Sequence, residues 1–233
     1  MVISHKYRFI FIKTRKTAGT SIESYLSTLC DETDVFAPIK DADPGEHRAR
    51  NFAGFFNPLP EILASLRRFS RAMRHLRHRN RYYNHMDAYV VRARTPRRIW
   101  RSYLKFCVER NPWDKTLSHY HFIATVRKDR FGVMSLDEYF QRGFNCVNYP
   151  KYTEPGEPSR LIVDRVLRYE SLNEELAEVF ADLGVPFEGR LGVRAKGDLR
   201  KDRRPYQEVL TEEQAATIAR LHRPEIELMG YEF

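Results

Sequence analysis

The stretch from Tyr7 to Leu26 constrains the fold of this chain more than any other. Tyr7-Arg-Phe-Ile-Phe-Ile12 is apolar and aromatic enough for a buried strand, Lys13-Thr-Arg-Lys-Thr-Ala-Gly19 is small, polar or cationic, and Thr20-Ser-Ile-Glu-Ser-Tyr-Leu26 is spaced as an amphipathic helix, predicted to end near Cys30. A strand that delivers a polar loop to a helix N-terminus makes an anion cradle, because backbone N–H groups point at the ligand and the helix adds its positive end. Lys16 supplies a full charge, and Thr17, Thr20 and Ser21 supply hydroxyls. The expected ligand is a phosphate ester or something close to one.

A second unit of the same kind follows. Tyr103-Leu-Lys-Phe-Cys-Val108 is another candidate buried strand and runs into Glu109-Arg-Asn-Pro-Trp-Asp114. Asn111 is a good N-cap, Pro112 sits where helices tolerate proline, and Asp114 can reach back to the free N–H groups, so a helix is predicted to about Val126. Arg110 then lies at the strand end and Ser118 inside the helix, placed to face one anion.

Elsewhere, Asp31 to Pro60 reads as a long ordered loop. A helix is predicted over Glu61 to Arg79, with Ile62, Leu66, Phe69, Met73 and Leu76 on one face. Its other face carries Arg67, Arg68, Arg71, Arg74, Arg77 and Arg79, which could track a polyanion but reads first as a solvated surface. Further elements are a helix from His85 to Arg94, a strand within Arg160 to Tyr169, and capped helices opening at Ser135, Ser171 and Thr211, the second stopping at Gly184. Alternating strands and helices imply an α/β domain whose parallel sheet is covered on both faces, one domain for all 233 residues.

Forty Lys and Arg against 31 Asp and Glu give a net charge of +9, which favours an anionic partner without choosing among nucleic acid, nucleotide and acidic glycan. Cys30, Cys107 and Cys146 are too few and too scattered for a disulfide framework or a zinc site, so reduced thiols are expected. With no long apolar run, neither a signal peptide nor a membrane span is expected, and a cytoplasmic location follows.

The first loop differs from that of the nucleotide triphosphatases, which needs a glycine immediately ahead of its lysine; here Lys16 precedes Gly19. Arg15-Lys16-Thr17-Ala18-Gly19-Thr20-Ser21 instead resembles the 5′-phosphosulfate loop (Pro-Lys-Thr-Gly-Gly-Thr-Ser) of the carbohydrate-type branch, family 2-like, of the sulfotransferases that use 3′-phosphoadenosine 5′-phosphosulfate (PAPS). The run from Val108 to Ser118, an Arg-Asn-Pro turn with Ser118 eight residues after Arg110, resembles that family's 3′-phosphate motif. Leu167-Arg-Tyr-Glu-Ser-Leu172 and Gly230-Tyr-Glu-Phe233 are similar to it as well. The resemblance covers most of the chain. It departs at Arg15, which replaces a proline, at Ala18, which replaces a glycine, and at Glu109, where an apolar residue is common. Ala18 implies a loop built without a positive φ at that position. Glu109 is expected either to turn outward or to pair with Arg15 or Arg110.

The resemblance implies a fold like that of the P-loop nucleotide triphosphatases, and transfer of a sulfuryl group from PAPS to a hydroxyl, more readily of a carbohydrate than of a small phenol, with 3′-phosphoadenosine 5′-phosphate (PAP) as product. It implies that Lys16 stabilises charge on the leaving phosphate, that the backbone from Thr17 through Ala18 and Gly19 to Ser21, with the Thr20 and Ser21 hydroxyls, holds the 5′-phosphate, and that Arg110 and Ser118 hold the 3′-phosphate. No metal is required by this scheme. His85 is the first candidate for the base, with His119, His121 and Glu23 behind it. Trp113 reads as a core residue before an adenine platform, and the cluster Lys196, Arg200, Lys201, Arg203 and Arg204 could close over the nucleotide. A basic nucleic-acid-binding module and a nucleotide kinase are the rival readings; no reader motif supports the first, and the missing triphosphatase lysine counts against the second.

Overall fold

In the computed structural model, which describes residues 1–39, 47–64, 66–192 and 204–233, the sheet is built around the predicted strands. Val2–Ser4 (β1), Phe9–Ile12 (β2), Val35–Phe36 (β3), Leu104–Glu109 (β4) and Arg165–Arg168 (β7) form one sheet in the order β3-β1-β2-β4-β7, and Thr153–Glu154 (β5) pairs with Glu157–Leu161 (β6) in a separate hairpin. β2, β4 and β7 run parallel, whereas β1 pairs antiparallel with both β2 and β3, so the expected all-parallel sheet is mixed at one side.

Register decides where chemistry can occur. Ile12 lies opposite Cys107 and Glu109 opposite Arg168, so the carboxyl ends of β2, β4 and β7 open onto one edge. In an α/β sheet that edge is the place for ligands. Alternation within the strands covers both faces. Phe9, Phe11, Phe106 and Val108 pack on one side against Ile22 and Leu26 of α1 (Gly19–Leu29), while Ile10, Ile12 and Cys107 face the other.

The remaining helices used below are α2 (Leu59–Ala64), α3 (Phe69–Arg77), α4 (Ala88–Arg94), α5 (Pro112–Val126), α6 (Leu172–Leu183), α7 (Glu212–Leu221) and α8 (Arg223–Met229). Val90 and Val91 of α4 cover the Ile10 face, and Leu176, Val179 and Phe180 of α6 join α1 on the opposite face. Each such burial contributes roughly 1.5–3 kcal/mol. Among the described residues no helix is long and apolar enough to cross a membrane.

Several expectations are corrected by the packing. The helix over 61–79 is broken by a 3-10 turn at Leu66–Arg68, and Leu66 and Phe69 are 76% and 56% exposed. A polar anchor overrides the apolar stripe: Glu61 is buried in a two-point pair with Arg94 at 2.8 and 2.7 Å, and Arg68 is ion-paired with Asp87. The strand within 160–169 is divided because the Ile162 N–H donates to Tyr152, just before the hairpin, while the Asp164 N–H donates to Lys105 at the start of β4. The boxes at Ser135 and Thr211 form as expected. Ser171 does not cap α6; its hydroxyl donates to Glu175, although Gly184 does end that helix in the left-handed conformation. His85 precedes α4 rather than starting it.

Candidate active site

The loop from Lys13 to Ala18 leaves β2 at the carboxyl edge and is gripped from several sides. Thr17 is buried, and its hydroxyl hydrogen-bonds that of Thr14 at 2.7 Å, which in turn donates to the Val108 carbonyl of β4. The Thr17 side chain is therefore committed to the loop's own structure. Ala18 is the N-cap residue of α1 at φ 56°, and Lys16 has φ 62°, so the expectation that the loop avoids a positive φ at Ala18 is wrong. The left-handed turn aims the start of α1 into the loop, and an alanine there costs roughly 1–2 kcal/mol that glycine would not.

Gly19 is needed for a different reason: a Cβ on it would lie 2.6 Å from Lys13 Cγ. The Lys13 stem passes under the loop to reach Glu23, at 2.6 Å, where both side chains are buried. Burial alone would push the Glu23 carboxyl up, but the Met1 ammonium and Lys13 outweigh it and hold it down at about 2. A carboxylate so held is a poor proton acceptor. The N-cap residue Ala18 gives α1 no side-chain cap and the first turn contains no acid, so the backbone at Gly19, Thr20 and Ser21 forms the positive end of the helix.

Arg110 meets this loop across the β2–β4 pair. Its Nη1 donates to the Lys16 carbonyl at 3.1 Å, its Nε and Nη2 donate to Asp114 Oδ2 at 2.8 and 2.6 Å, and its guanidinium lies 4.2 Å from the Tyr169 ring centre. Asp114 is thus a partner of Arg110, and Asn111 caps the helix by accepting from the N–H groups of Trp113 and Asp114. The Lys16 ammonium lies 4.9 Å from the centre of the Phe122 ring, one turn beyond the half-buried Ser118 on α5. Lys16, Arg110 and the Ser118 helix are therefore brought together, as their order along the chain implied. Trp113 is core, with its indole N–H donating to Ala215 at 3.1 Å.

Glu109 neither turns outward nor pairs with Arg15 or the Arg110 side chain. It is fully buried and accepts from Lys115 at 2.6 Å, the Arg110 N–H at 3.0 Å, Asn148 at 3.4 Å and Tyr152 at 3.0 Å. Lys115 also contacts Glu225 at 3.3 Å, and Glu225 accepts from the Asn148 N–H at 2.9 Å. Burial would raise the Glu225 carboxyl; His222, whose Nδ1 lies 3.3 Å away, and the charge of Lys115 hold it down at about 2. Asn148, fixed in this network, accepts from the Arg15 N–H and donates to the Arg15 carbonyl. A proline at position 15 has no N–H to give, so the departure at Arg15 coincides with a bond only a non-proline residue can make. Nothing in the sequence around Asn148 or Glu225 signals this role, whereas Tyr169 lies within a string already matched.

His85 sits below the loop with Nδ1 3.2 Å from the Lys13 carbonyl. A carbonyl only accepts, so Nδ1 carries the hydrogen and Nε2 is the basic nitrogen. Burial, reinforced by Lys13 and Lys151, pushes the imidazole down to about 3. Lys151 donates to the His85 carbonyl and to Asp87, each at 2.9 Å. His119 is hydrogen-bonded to Tyr139 at 2.7 Å and lowered to about 4 by burial and then by Lys16 and Arg15. His121 stays half-buried on α5 beside Tyr120. Of the C-terminal basic cluster only Arg204 falls within the described residues.

Residues 1–232 match the model of the sulfotransferase family. The chain belongs to that family. A 115-residue stretch, 48% of the chain, is 34% identical to an uncharacterized protein of Archaeoglobus fulgidus and covers 94% of it. The crystal structure of a sulfotransferase from Alicyclobacillus acidocaldarius is similar over 96% of each chain, at 18% identity and a TM-score of 0.41. The left-handed backbone at Ala18 is one a glycine would adopt more readily, and the buried Lys115 accounts for a carboxylate at Glu109.

Proposed function

We propose that this sulfotransferase moves a sulfuryl group from PAPS to a hydroxyl acceptor, a carbohydrate in preference to a small phenol. The observation that carries the donor assignment is the juxtaposition of the two motifs, in which the Arg110 guanidinium donates to the backbone carbonyl of Lys16, 94 residues away in sequence, at 3.1 Å. Two cationic residues beyond adjoining strand ends, beside a helix start, suit a nucleotide with separate phosphates.

In this reading the N–H groups of Thr17 to Ser21, with the Thr20 and Ser21 hydroxyls, hold the 5′-phosphate, and Arg110 and Ser118 hold the 3′-phosphate. Lys16 stabilises negative charge that grows on the leaving phosphate oxygen as the S–O bond breaks and the acceptor oxygen bonds to sulfur. His85 Nε2 takes the acceptor proton. An anionic donor beside Lys13 raises the imidazole from its low value in the free protein, which makes it a better base only when the donor is bound.

Calorimetric titration with PAP, followed by incubation with radiolabelled PAPS and pools of acidic oligosaccharides and phenols, tests this. Binding of PAP with label transfer to the oligosaccharides is expected. No PAP binding at millimolar concentration would overturn the donor assignment, and label only on phenols would overturn the acceptor class.

A further inference from the structure

The lobe formed by α2, the Leu66–Arg68 turn and α3 carries an apolar surface that the fold itself does not cover. Of the eleven large apolar side chains exposed among the described residues, six lie between Phe55 and Met73: Phe55, Leu59, Leu63, Leu66, Phe69 and Met73. Single exposed apolar residues need no explanation, but a group of them marks an interaction site. Leu63, 80% exposed, is one turn from Leu59 on α2, and Phe69 and Met73 are one turn apart on α3. Leu66 stands in the turn between the helices, and α2, the turn and α3 all touch one another. The exposure is fixed from beneath, where the Glu61–Arg94 and Arg68–Asp87 pairs anchor the lobe and Ile62 and Ala72 are buried.

The charge around these side chains has one sign. From His47 to Met86 the only acid in the sequence is Glu61, which is buried and paired with Arg94. Arg77 continues the Phe69–Met73 row by one more turn, Arg74 follows Met73, and both are exposed. Arg79, just past α3, lies with its guanidinium 4.6 Å from the centre of the Phe55 ring. Leucine, phenylalanine and methionine are thus bordered by arginines with no exposed acid among them.

That combination selects the occupant. In a two-fold contact between copies of this chain the patch would meet itself, bringing the Arg74 and Arg77 side chains of both copies together with no acid to offset them. A nucleic-acid backbone would engage the arginines and leave the leucines in water. An anionic bilayer uses both, since its headgroups attract the arginines and its headgroup–acyl boundary accepts the apolar side chains.

We propose that this lobe docks the protein on the surface of a bilayer containing anionic phospholipids, with Leu63, Leu66 and Phe69 entering the boundary and Arg74 and Arg77 at the lipid phosphates. The attachment is peripheral and reversible, since it uses one lobe of the folded chain and no spanning helix.

Flotation of the full chain with vesicles of phosphatidylcholine alone, and of phosphatidylcholine with about 30% phosphatidylserine, tests this. The mixed vesicles should bind at least tenfold more tightly. Leu63→Ser combined with Leu66→Ser should weaken that binding at least tenfold, and Arg74→Gln combined with Arg77→Gln about tenfold. Arg98→Gln combined with Arg101→Gln removes the same charge from exposed positions outside the lobe and should change binding less than about twofold. All of these side chains except those of the control pair belong to the lobe surface, and thermal melts verify that each variant is folded. Absence of binding to the mixed vesicles would overturn the proposal. Equal losses from the two arginine pairs, or binding that survives the serine substitutions, would also overturn it, leaving only adhesion of a cationic protein. A dimer in sedimentation velocity that the serine substitutions dissociate would overturn it in favour of a second copy.

Discussion

Asn148 holds both backbone polar groups of Arg15: its Oδ1 accepts from the Arg15 N–H at 2.9 Å and its Nδ2 donates to the Arg15 carbonyl at 3.0 Å. A residue from the middle of the chain thereby fixes the height of the loop from Lys13 to Ala18, and Glu109 and Glu225 fix the residue that does so. Asn148→Ala should cost about 1–2 kcal/mol of stability by removing these two bonds. It should also weaken PAP binding about tenfold, because the loop N–H groups lose their common orientation. Denaturant melts and PAP calorimetry on the same samples separate the two effects, and unchanged PAP affinity would contradict the clamp.

The two small residues of the loop should respond in opposite ways. Ala18→Gly removes a left-handed alanine at φ 56° and should stabilise the protein by about 1 kcal/mol, or about 2–4 °C in Tm. Gly19→Ala would place a methyl 2.6 Å from Lys13 Cγ, on a stem that the Glu23 pair prevents from moving, and should cost roughly 1–3 kcal/mol. Thermal melts of both variants check the pair of signs.

Lys16 and Arg110 share the site but should fail differently. Lys16→Ala is expected to lower kcat by about 10²–10³ with little change in PAP affinity, since in the proposed reaction its charge acts on the leaving oxygen. Arg110→Ala is expected to weaken PAP binding by tenfold or more, since the proposed charge-assisted contact to the 3′-phosphate is lost. Equal losses of turnover and affinity in both variants would contradict these roles.

His85 gives a pH signature. Its folded-state value, about 3, lies below the ordinary 6.5, so the fold favours the neutral imidazole. This contribution to stability is fully present above the ordinary value and is lost as pH falls through the interval from about 6.5 to about 3. NMR titration of the free protein, assigned with His85→Gln, should show no protonation of His85 between pH 5 and 8; titration near 6.5 would contradict the burial argument. PAP binding should move the value upward.

Local chemistry determined much of this protein. The strand, loop and helix from Phe9 to Leu29 and the matching unit from Leu104 to Val126 are legible because periodicity, an Asn-Pro helix start and a cationic loop all act within a few residues. Their order along the chain also implied that Lys16 and Arg110 meet, since parallel neighbouring strands place their carboxyl ends side by side. The tertiary structure alone decided what depends on distant partners. The stripe from Ile62 to Leu76 yielded to the Glu61–Arg94 and Arg68–Asp87 pairs, Ala18 took a conformation its own side chain disfavours, and Glu109 became harmless near the anion loop through Lys115 and Asn148. Such buried charges and strained backbones are stable only when several remote groups converge on them, and that convergence has no local signature for a sequence to display.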